Sequence, residues 1–195
     1  MAPMSCSESA SALNPQQRAY LLELAGCSIR HGLAHGKPLA LDASQLEPAL
    51  NMQQASFVTL ELRGQLRGCI GSLEALRPLA EDISANAYAA AFRDPRFSPV
   101  SEGEVEELEL HVSLLTPAEM MQFDSQADLI RQLTPGIDGL ILEEGTLRGT
   151  FLPSVWESLP EPVEFLRQLR NKAGLSPDYW SDTLRVFRYR TEVIG

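Results

Sequence analysis

The side chain best suited to chemistry in this sequence is the thiol of Cys69, which lies in the segment LRGCIG at residues 66–71. Cysteine acts as a nucleophile or a metal ligand in its thiolate form, and a nearby cation stabilises that form. Arg67 is two residues away, so we expect its guanidinium on the same strand face. Gly68 and Gly71 carry no side chain, so a ligand could approach the backbone and meet its N–H groups. The alternative is that Cys69 is a buried apolar filler, a common role of free cysteine.

A β-hairpin is the element that must position this thiol. Apolar and polar residues alternate over 57–62, the pattern of a half-buried strand, and Gly64 follows in a turn-like stretch. A three-residue loop at 63–65 is the register that best pairs the side chains. It places Glu61 opposite Arg67, an ion pair across the ladder, and Thr59 opposite Cys69.

A second candidate for chemistry is His111, in a predicted strand at residues 106–115 with an apolar face and a polar face. We consider it as a base beside Cys69, with Thr59, Ser113 or Glu157 as further proton carriers. The sequence does not show that the two strands are neighbours. The alternative is that His111 is simply an exposed residue of the polar face.

Three potential soft ligands, Cys27, His31 and His35, follow one another at intervals of four residues on a predicted helix. Two nearby glycines weaken that end of the helix, and no fourth ligand lies close in the sequence. A solvated helix face is the better interpretation, and we assign no metal site and no cofactor.

Composition and charge limit the possible functions. The chain has 195 residues, enough for one domain or two closely packed lobes. Its 26 acidic and 16 basic residues give a net charge of -10, which opposes binding to nucleic acid and to anionic membranes. No apolar run approaches the roughly 20 residues of a membrane span, and no signal peptide is recognisable. Three separated cysteines favour a reduced, cytoplasmic setting.

Helical and strand patterns alternate along the chain and predict an α+β fold. Residues 1–13 are expected to form a loose tail. A helix capped by Asn14 should run to about Leu33, with an inward stripe of Leu22, Ala25, Ile29 and Leu33. Further helices are predicted near 44–50, 78–93, 122–133 and 163–172, a hairpin at 137–143 and 146–151, and a last strand at 184–189.

The motifs FVTL, LRGCIG, DPRFSPV, VSLLTP, FLPSVWE and KAGL together resemble the AMMECR domain family, from about Gln16 to the C-terminus. In bacteria this family is protein A of the AmmeMemoRadiSam gene group. The resemblance implies a single compact unit at residues 14–195 with a curved, barrel-like, mostly antiparallel sheet flanked by helices. It also implies a Memo-like protein and a radical-SAM protein as partners. The activity of the family is unsettled.

The resemblance adds site residues to those found from the pattern. Asp94 and Arg96 belong to DPRF, which resembles a rim that could hold a ligand next to the thiol. Ser113 belongs to VSLLTP, and Glu157 keeps the carboxylate of the segment after LPSV. Asp138 replaces a histidine that is frequent in the family, which removes one possible acid–base partner.

Two functional hypotheses follow, ahead of a third, a purely structural protein, which gives no reason for a glycine-flanked thiol beside an arginine. The first is an enzyme or group carrier that uses Cys69 for acyl or alkyl transfer, or that carries an intermediate for the radical-SAM partner. The second is a binding or adaptor module, in which the same cleft docks a small anion or a partner peptide and Cys69 is only packed.

Overall fold

The computed structural model describes residues 13–195, and their contacts divide the chain into two compact units. The first unit extends to Leu114 and also contains Val193–Gly195, and the second is Leu115–Glu192. The predicted tail lies outside the described residues except for Leu13, which is buried in the core of the first unit.

Four α-helices and eight strands are present in residues 13–195. The helices are α1 (Pro15–His35), α2 (Leu79–Phe92), α3 (Gln126–Gln132) and α4 (Pro162–Lys172). The strands are β1 (Ser56–Leu62), β2 (Gln65–Gly71), β3 (Leu108–Leu115), β4 (Glu119–Met120), β5 (Gly139–Glu144), β6 (Leu147–Phe151), β7 (Arg185–Tyr189) and β8 (Thr191–Ile194). The short strands β4 and β8 have no counterpart in the sequence prediction.

The start of α1 is as predicted, but its buried face differs. Asn14 and Gln17 cap each other's backbone N–H groups in a capping box. The predicted inward stripe is wrong at Leu33, which is exposed. Small residues explain the difference: a side chain at Gly32 would collide with the rings of α2, so the helices contact through this glycine. The buried positions are Leu21, Leu24, Ala25, Gly26, Ser28, Ile29 and Gly32.

The first unit is built on an antiparallel sheet with the strand order β2-β1-β3-β8. Alternate residues of β1 and β3, among them Val58, Leu60 and Val112, are fully buried and form a core with α1 and α2. We call this side of the sheet the core face. The side that carries Thr59, Cys69 and His111 we call the polar face.

A buried polar network joins α2 to the beginning of β1. One carboxylate oxygen of Asp82 accepts hydrogen bonds from the N–H and the hydroxyl of Ser56 and from the amide of Asn86. Arg77 forms an ion pair with the other oxygen, so the buried charge is compensated. The network fixes the helix against the strand that carries Thr59.

The second unit contains an antiparallel sheet with the order β4-β7-β5-β6. The predicted hairpin is confirmed as β5 and β6, and its turn contains Gly145 at a positive φ. Helix α4 packs on this sheet, and its Phe165 stacks on Trp156 with ring centroids 3.7 Å apart.

The predicted α+β class is confirmed. The strands of residues 13–195 form two four-stranded sheets rather than one curved sheet, so the barrel-like sheet is not confirmed. None of the described helices has the length and apolar character that crossing a bilayer requires.

Candidate functional site

Cys69, Thr59 and His111 form a row across three neighbouring strands. Thr59 in β1 is directly opposite Cys69 in β2, as predicted, and directly opposite His111 in β3. Residues directly opposite in an antiparallel sheet share a face, so all three side chains lie on the polar face. The Thr59 hydroxyl donates a hydrogen bond to the sulfur of Cys69 at 3.2 Å.

His111 is not in direct contact with the thiol, because β1 lies between their strands. Two strand spacings separate the backbones of Cys69 and His111 by about 10 Å. Direct proton transfer requires hydrogen-bonding distance, so the predicted base beside Cys69 would have to act through Thr59. Ser113 lies two residues beyond His111, opposite Phe57, at the end of the same face.

The hairpin turn is shorter than predicted and is followed by a bulge. Leu62 pairs with Gln65, which leaves a two-residue turn of Arg63 and Gly64, both at positive φ. The register then shifts between Leu60 and Glu61, so that Leu60 pairs with Gly68 and Arg67 is the extra residue. The predicted three-residue loop and the predicted Glu61–Arg67 pair are therefore wrong. The bulge restores the Thr59–Cys69 pair.

The guanidinium of Arg67 is bound away from the thiol. It donates two hydrogen bonds to the carboxylate of Glu104 and further ones to the carbonyls of Ser98 and Pro99. Only 12% of the Arg67 side chain is exposed. The hydrogen bonds from Arg67, followed by those from Ser101, lower the pKa of Glu104 to about 2. In this arrangement Arg67 ties the bulge to residues 98–104.

Arg96 is the arginine that contacts Cys69. Its guanidinium donates to the carbonyl of Cys69 at 3.2 Å, and the carboxylate of Asp94 accepts the N–H of Cys69 at 2.9 Å. Asp94 and Arg96 also form an ion pair at 2.7 Å, with Asp94 almost completely buried. The hydrogen bond from Arg96, followed by that from the Cys69 N–H, holds the pKa of Asp94 far below its usual range. DPRF thus clamps both polar groups of the Cys69 backbone.

The charges at this corner also act on one another. The pKa of Arg96 is raised, first by its hydrogen bond to Asp94, with a smaller contribution from its electrostatic interaction with Cys69. Asp94 and Arg96 thus hold each other in place while both contact the backbone of Cys69.

The two glycines that flank Cys69 are explained by packing inside the protein. Gly68 is on the core face, and a side chain there would collide with the carbonyl oxygen of Ala90 in α2. A side chain at Gly71 would collide with the ring of Phe57 and the carbonyl of Ser56. The space at both positions is filled by protein, and contact of their backbone with a ligand stays a prediction.

Sequence reasoning missed a group of donors on the same polar face. Side-chain donor atoms of Glu61, Glu109 and His111 all lie within 4.8 Å of one another. Glu61 is directly opposite Glu109, and His111 is two residues from Glu109. The signal was the alternation of polar residues in β3, but only the strand order shows that Glu61 joins them.

The other sequence candidates lie apart from this row. Glu157 belongs to the second unit, where it is exposed at the end of a 3-10 helix, Pro153–Glu157. The rings of His31 and His35 on α1 are 4.3 Å apart. Within residues 13–195 they do not form a metal-ligating group with Cys27.

Comparison with known proteins identifies the family. The AMMECR1 family model matches residues 22–194. The chain belongs to the AMMECR1 family. A protein of Methanothermobacter thermautotrophicus is 37% identical over 179 residues, which cover 89% of this chain and 91% of the relative. A protein of Methanocaldococcus jannaschii is 33% identical over 185 residues, 93% of this chain and 90% of the relative.

The structure of the chain is also similar to a known crystal structure. An uncharacterized protein from Pyrococcus horikoshii has a TM-score of 0.80 and 34% identity, covering 89% of this chain and 88% of the other. The match to residues 22–194 includes residues of both units, so both belong to the fold of the AMMECR1 family.

Proposed function

We propose that the protein is a thiol-dependent group-transfer or carrier protein in which Cys69 is the nucleophile. The observation that carries the proposal is the hydrogen bond from the Thr59 hydroxyl to the sulfur of a half-buried, free Cys69. A donor aimed at sulfur stabilises negative charge there. The hydrogen bond from the Cys69 N–H to Asp94 and the one from Arg96 to the Cys69 carbonyl support it, because they hold the nucleophile in one position.

The transfer proceeds in two steps. In the first, the Cys69 thiolate attacks an electrophilic acyl or alkyl carbon, a sulfur–carbon bond forms, and the bond to the leaving group breaks with its electron pair. In the second, an acceptor nucleophile attacks the same carbon, loses a proton to solvent, and releases the thiolate. No oxidant or reductant is needed for either step.

The surrounding residues have separate roles in this proposal. Thr59 stabilises the thiolate by its hydrogen bond, and Asp94 and Arg96 hold the Cys69 backbone. Arg67 has a structural role, because it holds β2 to residues 98–104. A proton relay from His111 through Thr59, and contributions of Ser113 and Glu157, stay predictions.

The proposal includes the partners that the family resemblance implies. A Memo-like protein and a radical-SAM protein would deliver or receive the carried group. Mixing the three purified proteins and measuring their association by sedimentation tests this part separately from the chemistry.

The chemistry is tested by alkylation of the native protein with iodoacetamide at neutral pH. The Cys6→Ser/Cys27→Ser double variant leaves Cys69 as the one thiol of the chain. We expect one adduct on Cys69, formed in the folded protein faster than on the same thiol in denaturant. Cys69→Ser added to this background is the control and should take up no label.

The opposite result supports the second hypothesis. If the thiol reacts only after unfolding, Cys69 is a packing residue and the group-transfer proposal is wrong. A binding or adaptor module would then be the remaining function of the same cleft.

A further inference from the structure

The polar face of the first sheet carries a second chemical feature beside the cysteine row, formed by Glu61, Glu109 and His111. Two carboxylates and one imidazole come from two neighbouring strands, and their donor atoms lie within 4.8 Å of one another. The register of β1 and β3 brings them together, because Glu61 is opposite Glu109 and Thr59 is opposite His111.

The direct opposition of Glu61 and Glu109 is unfavourable unless a cation compensates it. Like charges directly across an antiparallel ladder destabilise the pair. In the described part of the chain, neither glutamate has an ion pair or a hydrogen bond to another side chain. Glu109 is exposed and Glu61 is half-buried, so solvent screens part of this repulsion, and in the described residues no protein cation compensates the rest.

Two neighbouring glutamates, in contrast, each form an ion pair with an arginine. Glu107, two residues before Glu109, forms an ion pair with Arg63 at 2.8 Å. Glu104 forms one with Arg67 at 2.7 Å. The two arginines of this hairpin thus pair with Glu104 and Glu107. Neither of them pairs with Glu61 or Glu109.

We propose that Glu61, Glu109 and His111 bind a divalent first-row transition metal such as Mn²⁺, Fe²⁺ or Zn²⁺. Carboxylate oxygens suit Mn²⁺, and imidazole nitrogen suits iron and zinc, so the mixed set favours these ions over Mg²⁺ and Ca²⁺. Metal–ligand distances of about 2.0–2.2 Å place neighbouring donors roughly 3 Å apart. The donors need to approach one another by only about 1–2 Å from their observed spacing, which side-chain rotation achieves.

The metal site leaves coordination positions open toward the polar face. Three protein ligands do not complete a tetrahedral or octahedral shell, so water or a substrate oxygen would fill the remaining positions. Thr59 lies between this site and Cys69, in line with both. A substrate oxygen on the metal would therefore lie on the same face as the thiol. The metal site itself does not depend on the proposed role of Cys69.

The test is a titration of the full-length, isotope-labelled protein with Mn²⁺, followed by NMR. Bound Mn²⁺ broadens the signals of nearby amides, so its position is read directly. We expect the amides of residues 59–61 and 109–111 to broaden first, at the level of one bound ion. Zn²⁺ should compete with Mn²⁺ for the same position.

Variants separate this site from general attraction to an acidic protein. We expect Glu109→Gln and His111→Gln to weaken Mn²⁺ binding at least about tenfold, since even outer-shell partners of metal ligands have effects of that size. Glu102→Gln removes one exposed carboxylate of the same unit and is the matched control. It should bind like the wild-type protein, and so should Cys69→Ser.

Two results would overturn the proposal. One is broadening that spreads over the acidic surface without starting at these residues. The other is a loss of affinity in Glu102→Gln as large as in Glu109→Gln. The broadening is measured in the wild-type protein, so the first result contradicts the proposal even if a variant fails to fold. If Cys69→Ser binds Mn²⁺ like the wild-type protein, the metal site is independent of Cys69, and failure of the thiol chemistry would not count against it.

Discussion

The two faces of the first sheet are formed by the same strands but differ in burial and in the side chains they carry. On the core face, Val58, Leu60 and Val112 have no exposed surface, and Gly68 is in contact with the backbone of α2. On the polar face, Thr59 and Cys69 are only half buried. Consecutive residues of β1 and β2 therefore alternate between packing and chemistry.

This contrast implies that substitutions on the two faces should separate stability from reactivity. A change on the core face should lower the free energy of unfolding, because tightly packed interiors do not adapt easily. A change on the polar face should leave the fold intact and alter the behaviour of the thiol or of a bound cation.

The largest effect on stability is expected for Gly68→Ala. The added methyl group would collide with the carbonyl oxygen of Ala90, and the helix must move away from the strand. We expect the free energy of unfolding to fall by about 3 kcal/mol, at the upper end of overpacking effects. Urea denaturation measures it.

Gly103→Ala is the control for that substitution. A methyl group at Gly103 would meet no atom within 4 Å, so the change should stay within about 0.5 kcal/mol. Equal effects of the two substitutions would show that the close contact of β2 with α2 is not a constraint.

A smaller effect, dependent on pH, is expected for Glu104→Gln. The bidentate ion pair with Arg67 lowers the pKa of Glu104 from 4.5 to about 2, so it contributes stability above pH 4.5. That contribution is lost as the pH falls from 4.5 to about 2. We expect the variant to be less stable by roughly 1–2 kcal/mol at neutral pH.

The pH profile of unfolding is the decisive part of that measurement. The curves of wild type and Glu104→Gln should converge below about pH 2, where both side chains are neutral. A constant difference across the acid range would mean that the ion pair does not cause the destabilisation.

The smallest effect on stability, with a clear effect on reactivity, is expected for Thr59→Val. The substitution keeps the shape of the side chain and removes the donor to the Cys69 sulfur. Loss of a hydrogen bond of about 1 kcal/mol corresponds to roughly fivefold slower alkylation at neutral pH. Thr59→Ser keeps the hydroxyl and should react like the wild-type protein. If Val and Ser react equally fast, the hydroxyl does not act on the sulfur.

Part of the site could be predicted from local sequence alone. The Thr59–Cys69 pair was predicted from a three-residue loop, and it is present because the two-residue turn and the extra residue at Arg67 together give the same offset between the strands. The bulge at Arg67 was not predictable in this way. It depends on α2 and on residues 98–104, which are distant in sequence.

The remaining part depends on contacts between distant segments. The order β2-β1-β3 places His111 beyond Thr59 and brings Glu61 to Glu109, and alternation within a single strand carries no information about strand order. The same limit applies to the arginines. Arg67 is two residues from Cys69 in sequence, whereas Arg96 is the one in contact with its backbone.

The most direct test of this account compares two arginine variants, Arg96→Gln and Arg67→Gln, by the rate at which iodoacetamide alkylates Cys69 in the folded protein. Both are measured in the Cys6→Ser/Cys27→Ser background at neutral pH. We predict that Arg96→Gln slows the reaction severalfold, because it removes the guanidinium that donates to the Cys69 carbonyl and holds Asp94, while Arg67→Gln reacts at the parent rate. Slower alkylation in Arg67→Gln with an unchanged rate in Arg96→Gln would contradict the account.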